Sequence, residues 1–370
     1  MTDSDNFRRK ISSLFLWKRD HNRFIILSLF GYQSRIFYVT MLANFDRFKS
    51  VQMYISQVLN RRGETRDDFL RIDQLFKNDS SQILLSHKGK FVFSENKPFH
   101  CNYQQLKSID PIFESKRDEQ VDPIPRIYLG EYQDFHYFVL QIPKLYDELE
   151  AMQLIDLRSA ALSSELFDIG ALFYSQGLIN WHFSHTFCAK CGSPSKLVHS
   201  GHSRICENPD CNKEHFPRIE PAVIFSIRTT IDGVSKILLA RQANWPEKRY
   251  SVVAGFAEHG ETLEHVVQRE ALEEVGLNVT NVKYVSSQPW PFPASLMIGF
   301  TCETKEKDIR LVDQELEHAE WFSAEEMKTA TKRGDLLMPF SVSISWHLVD
   351  QWYREQTGES LKSIDKPNIT

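Results

Sequence analysis

Residues 255–277 read GFAEHGETLEHVVQREALEEVGL. The Thr262 hydroxyl can cap a helix start, and Gly276 can end a helix in a left-handed conformation, so the spacing predicts a helix from about Thr262 to Val275. Leu263, Val266 and Val267 begin an apolar stripe that faces a core. Continued by helical steps, the same stripe reaches Glu270 and Glu274, where the pattern calls for aliphatic residues. Glu270, Glu273 and Glu274 also stand at i, i+3 and i+4, so like charges crowd one face. They occupy the C-terminal half of the helix, where the dipole disfavours anions. Breaking all of these local rules with no gain to folding marks a functional site. Divalent cations resolve every conflict, and hard oxygen ligands point to Mg²⁺ or Mn²⁺. A solvated acidic face is the plainer reading; it suits Glu261 or Glu264 but not two glutamates on the core stripe.

Strands surround this helix. Residues 222–228 and 237–240 read as strands joined across an Asp232-Gly233 turn, followed by strands at 251–254, near 282–286 and at 296–302, with a last helix over 342–353. Mixed strands and helices predict an α/β sandwich. Upstream, the chain is β-rich: residues 24–30, 83–85 with 91–93 across Lys88-Gly89, and 127–132 with 135–142 read as strands. No catalytic constellation falls there, so a structural or dimerisation role is expected. Pro143 ends that block. Residues from about 145 to 182 then read as helical, with Leu154, Leu157, Ala161, Leu162, Leu166, Ile169, Leu172 and Phe173 at helical spacing.

Of the six cysteines, four crowd between Cys188 and Cys211. Cys188 and Cys191 form a CxxC knuckle, and Cys206 and Cys211 a wider pair across a loop. Each pair can span one edge of a tetrahedron, as zinc requires. His182, His185, His199, His202 and His215 lie nearby, but four thiolates already close the shell, so the zinc is expected to be structural. A nucleic-acid-binding ribbon is the sharper alternative, and the slight basic excess around it is too small to carry that reading. Cys101 and Cys302 stand alone and read as small core residues.

The pattern Gly255, Glu261, Arg269-Glu270, Glu273-Glu274, Gly276, Leu277 resembles the signature of the Nudix hydrolases, with Ala271 smaller than the aliphatic often found there. The resemblance implies hydrolysis of a nucleoside diphosphate linked to another group. It implies Glu270 and Glu274 as metal ligands, Arg269 holding a glutamate in place, and the Ala254 carbonyl meeting a metal. Downstream, Gln288-Pro289-Trp290-Pro291-Phe292-Pro293-Ala294-Ser295 makes a stiff loop whose rings suit stacking on a base. That string, with Trp181-His182, the cysteine cluster, Phe216-Pro217-Arg218 and Glu315-Leu316-Glu317, resembles the NADH pyrophosphatases, some of which remove NAD caps from RNA. The likeness runs from about Leu157 onward, and more faintly through the β-rich part. It implies that Glu315 completes the metal site, that Phe256 contacts substrate, and that Gln288 to Ser295 line the dinucleotide pocket. Phe216 stands where tyrosine is common, and Ser345 where alanine is common; both positions are read as substrate-binding. The implied reaction is water attack on one phosphorus, giving AMP and reduced NMN, with Glu273 and Glu315 both candidates for the general base. The rivals are a Nudix hydrolase of ADP-ribose or dinucleoside polyphosphates and a non-catalytic zinc-ribbon nucleotide binder. The expected division is a β-rich domain at 1–145, a helical connector at 146–184, a zinc ribbon at 185–218, a Nudix domain at 219–356 and a tail at 357–370.

A net charge of -5 argues against a broad groove for long nucleic acid. No apolar run approaches membrane-spanning length. Arg8, Arg9 and Lys10 ahead of residues 11–17 resemble a weak signal peptide with no cleavage site. Asn368-Ile369-Thr370 is not a peroxisomal tripeptide. The chain is read as intracellular, with the cytoplasm expected and the peroxisome the alternative that the family resemblance allows, and the resemblance implies a homodimer.

Overall fold

The computed structural model describes residues 59–110, 126–163, 166–312 and 315–364, with four two-residue strands between residues 19 and 36. The chain divides into two units, residues 1–50 and 51–370. In the first, Arg19–Asp20 pairs with Arg23–Phe24, and Gly31–Tyr32 with Arg35–Ile36, both antiparallel. The expected strand over residues 24–30 lies, apart from Phe24, outside the described residues, as do residues 8–17 and 368–370.

The second unit opens with α1 (Phe69–Phe76), β1 (Ser81–His87), β2 (Lys90–Ser94), α2 (Tyr103–Ile109), β3 (Arg126–Tyr132), β4 (Phe135–Gln141) and β5 (Gln153–Asp156). The sheet runs β5-β2-β1-β4-β3, with β1 and β4 parallel. Strand alternation gives it two buried faces. Ile83, Leu85, Val92 and Phe138 pack with Phe76 of α1 and Leu106 of α2. Leu84, Phe91, Phe93 and Val139 pack with α3 (Leu157–Ser163) and α4 (Leu166–Ser184). Leu154, expected on a helix, instead lies on β5 and pairs with Val92 of β2, because cross-strand pairing overrides a short helical spacing.

A three-stranded antiparallel ribbon follows: β6 (Ser195–Val198), β7 (Ser203–Cys206) and β8 (Glu214–His215). The last part contains β9 (Glu220–Ile231), β10 (Val234–Arg241), β11 (Val253–Phe256), α5 (Leu263–Val275), β12 (Thr280–Trp290), β13 (Ser295–Glu303), β14 (His318–Phe322), α6 (Ala324–Arg333) and α7 (Ile344–Thr357). Its sheet runs β12-β13-β9-β10-β14, with β11 on β9 and only β9 and β13 parallel. Val223, Phe225 and Ile227 face Val266, Val267 and Ala271 of α5. Ile224, Ile237 and Leu239 face Trp346, Val349 and Trp352 of α7. This is the expected α/β sandwich. Beyond α7, Leu361 and Ile364 are buried against the same layer. The sequence reading omitted α6, although Ser323 and Glu326 form a reciprocal cap and Gly334 ends the helix at positive φ.

His199 joins the loop before α1 to the ribbon, touching Asp67 through Nδ1 and Glu214 through Nε2 at 2.9 Å. The Asp67 hydrogen bond, with the charges of Asp67 and Glu214, raises its pKa against a smaller opposing effect of burial. The resulting stabilisation is complete below the unfolded value near ~6.5 and is lost as pH rises through the raised folded value. The pair is largely exposed, so the effect is at most about 1 kcal/mol. Asp67→Asn should therefore lower Tm slightly at pH below ~6 and leave it unchanged in mildly alkaline buffer, as read by thermal denaturation across pH.

Candidate active site and zinc centre

The glutamate helix forms as its sequence requires. The Thr262 hydroxyl accepts from the His265 amide, and Gly276 adopts φ 68° at the other end. Val266, Val267, Ala271 and Val275 are each 0% exposed, and on the same side Glu270 is 9% and Glu274 3% exposed. The carboxylates do lie on the core stripe. Glu273 leans outward, and Glu315 is exposed on the segment before β14.

Arg269 organises the group. Its Nε and Nη2 donate to the two Glu261 carboxylate oxygens at 2.7 and 2.9 Å. Its Nη1 donates to Glu270 at 2.8 Å and Glu273 at 2.9 Å, and Nη2 also reaches the Phe256 carbonyl at 2.9 Å. Hydrogen bonding to Arg269 and to the Glu258 amide lowers the Glu261 pKa to about 2. Glu270 shifts the other way. Burial raises its pKa most, the Arg269 hydrogen bond and charge oppose that, and the charges of Glu273 and Glu315 raise it further. Gly255 explains its own place in the motif: a Cβ there would sit 1.9–2.4 Å from the Glu270 carboxyl group.

A cavity of about 420 Å³ opens beside Glu274 and Ala254. Gln288, Trp290, Ser345, Trp245, Tyr250 and Phe340 line it, with Arg158 and Arg249 as cations. Sequence reasoning missed Arg158, Arg249, Trp245, Tyr250 and Phe340. A signal existed in Trp245-Pro246 and Pro339-Phe340, the same aromatic–proline pairing that singled out Trp290. The Arg249 guanidinium lies 4.5 Å from the Phe340 ring centroid.

Residues 288–295 do not all line one cavity. Strand alternation along β12 sends Gln288 to the cavity beside Glu274, while Pro289, Pro291 and Ser295 line a second cavity behind the strand; Trp290 borders both. Phe292 packs edge-on against Phe173 and Trp290 with Arg158 over its ring. The Pro291 and Pro293 carbonyls accept from Asn180 of α4 at 3.3 and 3.0 Å. Gln288 donates to the Val342 carbonyl and accepts from the Ile344 amide, both at 2.7 Å, so its amide braces the start of α7. Ser345 Oγ lies 2.6 Å from Ser251 Oγ. Phe216 and Phe256 border neither cavity and are 62% and 56% exposed.

The four sulfurs of Cys188, Cys191, Cys206 and Cys211 lie within 4.8 Å of one another. Cys188 to Cys211 measures 3.8 Å and Cys191 to Cys206 3.4 Å. Zn–S bonds of about 2.3 Å demand sulfur separations close to these. None of the five nearby histidines belongs to the cluster among the described residues. His215 Nε2 lies 3.2 Å from Cys188 Sγ, where an N–H steadies a thiolate. His182 is buried on the Gly201 carbonyl at 2.9 Å, and burial lowers its pKa to about 4.

The α/β sandwich thus carries an arginine-clamped glutamate helix, and the ribbon carries a four-thiolate centre that fits zinc. Residues 221–339 match the NUDIX domain, and residues 184–216 match the NADH pyrophosphatase zinc ribbon domain. Within the chain, the segment 221–339 is thus similar to Nudix domains and the segment 184–216 to the zinc ribbon of NADH pyrophosphatases. It is 39% identical over 209 residues to the NAD-capped RNA hydrolase NudC of Mycobacterium bovis, a match covering 54% of this chain and 65% of that protein. It is 37% identical over 237 residues to the mitochondrial NAD(P)H pyrophosphatase NUDT13 of Mus musculus, covering 60% of this chain and 65% of that protein. The matched region thus spans just under two thirds of these relatives.

Cys188→Ser should reduce bound zinc from about one per chain and lower Tm, because the closed shell staples residues distant in sequence. Metal analysis with thiol titration of the native protein checks this; freely reactive thiols and no zinc in the unmutated chain would refute the assignment.

Proposed function

We propose that the chain hydrolyses the pyrophosphate of NADH or a related NAD-type dinucleotide, using Mg²⁺ or Mn²⁺. The observation that carries this reading is the pair of buried carboxylates, Glu270 and Glu274, with the second opening onto an aromatic cavity that also presents two arginines. The donor set fits a hard divalent ion: carboxylates only, with Glu270 pushed toward its neutral form by burial and like charge. Glu270, Glu274, Glu315 and the Ala254 carbonyl would hold the ions. When bound, they supply Lewis-acid stabilisation of phosphoryl charge.

The chain's own groups do the remainder. Arg269 fixes Glu261, Glu270 and Glu273, so little reorganisation of these carboxylates is needed as charge develops. Arg158 and Arg249 place positive charge in the cavity walls, where it offsets the substrate phosphates. Trp290, Trp245, Tyr250 and Phe340 offer ring faces to a nicotinamide or adenine. Glu273 or Glu315 takes the proton from the attacking water. The P–O bond of the anhydride bridge then breaks, giving AMP and reduced NMN.

The relative named for NAD-capped RNA favours a second substrate of the same chemistry, an adenosine extended by RNA. A reducing compartment such as the cytoplasm suits four metal-bound thiolates. A homodimer is supported by Phe183 and Phe187, 57% and 62% exposed beside the zinc centre; light scattering should return twice 43.2 kDa.

Incubation with NADH and Mg²⁺ should yield AMP and reduced NMN, with one ¹⁸O from labelled water on a product phosphate. Free nicotinamide as the main product would overturn the reading, and preference for ADP-ribose at equal concentration would move it to the rival Nudix class. NAD-capped RNA should release 5′-monophosphate RNA.

Glu274→Gln should remove most turnover while Tm without added divalent ion holds or rises, because one of several crowded charges is gone. Gly255→Ala should displace the Glu270 carboxylate and weaken apparent Mg²⁺ affinity about 10–100-fold. Titrating activity against Mg²⁺ reads both, and near-normal activity at limiting Mg²⁺ would show that these carboxylates do not hold the metal.

A further inference from the structure

The second cavity, of about 380 Å³, backs onto the strand that walls the catalytic one. Arg61 and Arg66 reach it from the loop before α1, Tyr174 from α4, and Arg218 from the segment before β9. Its charge has one sign: no acidic side chain lines it among the described residues. The neighbouring Arg62 is held by Glu131 at 2.7 Å, whereas Arg61, Arg66 and Arg218 have no carboxylate within ion-pair distance among the described residues. In a chain of net charge -5, three uncompensated guanidinium groups in one concavity are not a by-product of composition.

The arginines are held in place. The Arg61 guanidinium carbon lies over the Tyr174 ring, 3.6 Å from its centroid. Arg66 donates to the Tyr174 hydroxyl at 3.4 Å, and its Nε is buried with no hydrogen-bond partner. That hydroxyl also meets Nδ1 of His202, whose Nε2 donates to the Tyr128 carbonyl at 2.7 Å. His202 is neutral, since burial and the charges of Arg66 and Arg61 lower its pKa to about 4. A guanidinium fork matches a phosphate. The remaining wall is apolar, formed by the Trp290 indole with Pro289, Pro291 and Leu178. A bare inorganic anion would leave that surface unmatched, while a phosphate carrying a flat apolar body would cover it.

We propose that this cavity binds a nucleoside monophosphate, with the phosphate on Arg66 and Arg218 and the base against the proline–tryptophan wall. The inference does not rest on the pyrophosphatase reading. The same chemistry has two sources, a free mononucleotide or the first nucleotide of a 5′-phosphorylated RNA strand.

Amide hydrogen exchange of the full, zinc-loaded chain tests it, with AMP and with a 5′-phosphorylated trinucleotide as probes. Bound AMP should slow exchange in residues 59–66 and 173–178. Protection of residues 250–254 and 339–345 reports the catalytic cavity separately. Arg218→Gln removes a charge without cutting any hydrogen bond that the structure gives that side chain, and Arg66→Gln removes the buried donor. Each should weaken protection of the first set about tenfold or more and leave the second set unchanged. A trinucleotide that protects at lower concentration than AMP assigns the site to an RNA strand; equal or weaker protection assigns it to free nucleotide. AMP protection confined to residues 250–254 and 339–345, or protection of 59–66 and 173–178 unaltered by both substitutions, would overturn the proposal.

Discussion

The glutamate helix and the strand beside it depend on one side chain, Arg269. Carboxylates on the buried face of a helix are unstable by themselves: burial disfavours their charge, their neighbours repel it, and the helix C-terminus adds to the penalty. Arg269 offsets this by bonding Glu261, Glu270 and Glu273 together with the Phe256 carbonyl. It therefore ties α5 to the end of β11 as well as the glutamates to each other. Gly255 belongs to the same arrangement, because the Glu270 carboxyl fills the space that any larger residue would need. The motif's residue types are thus mutually required before any metal is considered.

Around that hub, the aromatic–proline strand acts as a partition. Its backbone is braced by Asn180 from one side and through Gln288 by the start of α7 from the other. Alternation then assigns successive side chains to opposite faces. The cavity beside Glu274 takes Gln288, the second cavity takes Pro289 and Pro291, and Trp290 borders both. The upstream sheet and its helices consequently do more than support the fold, since Arg61, Arg66, Tyr174 and Arg158 come from that part of the chain.

The zinc ribbon holds these layers by a different physics. Its hydrophobic content is small, so four thiolates supply the cross-link that a core would otherwise give. The histidines around it serve separate ends. His215 steadies a sulfur, His182 and His202 are buried neutral on carbonyls, and His199 bridges two acids. Residue type and proximity in sequence do not separate these roles; only their partners do.

By itself the sequence determined whatever depends on short-range spacing. The helix from Thr262 to Val275, its glutamates on the core stripe, the four-thiolate centre and the hairpins at Lys88-Gly89 and Asp232-Gly233 all follow from periods and turns within a few residues. The signals for α6 were also present in Ser323, Glu326 and Gly334. Tertiary structure alone decided what depends on long-range pairing. Leu154 became a strand residue because β2 was there to pair with it. Arg158 and Arg249 entered one cavity although 91 residues separate them in sequence (249 − 158). Gln288 and Pro289 went to different cavities because the strand has two faces and different elements cover each. A linear pattern records which residues share a face, whereas the partner each face meets is fixed only when distant segments fold against it.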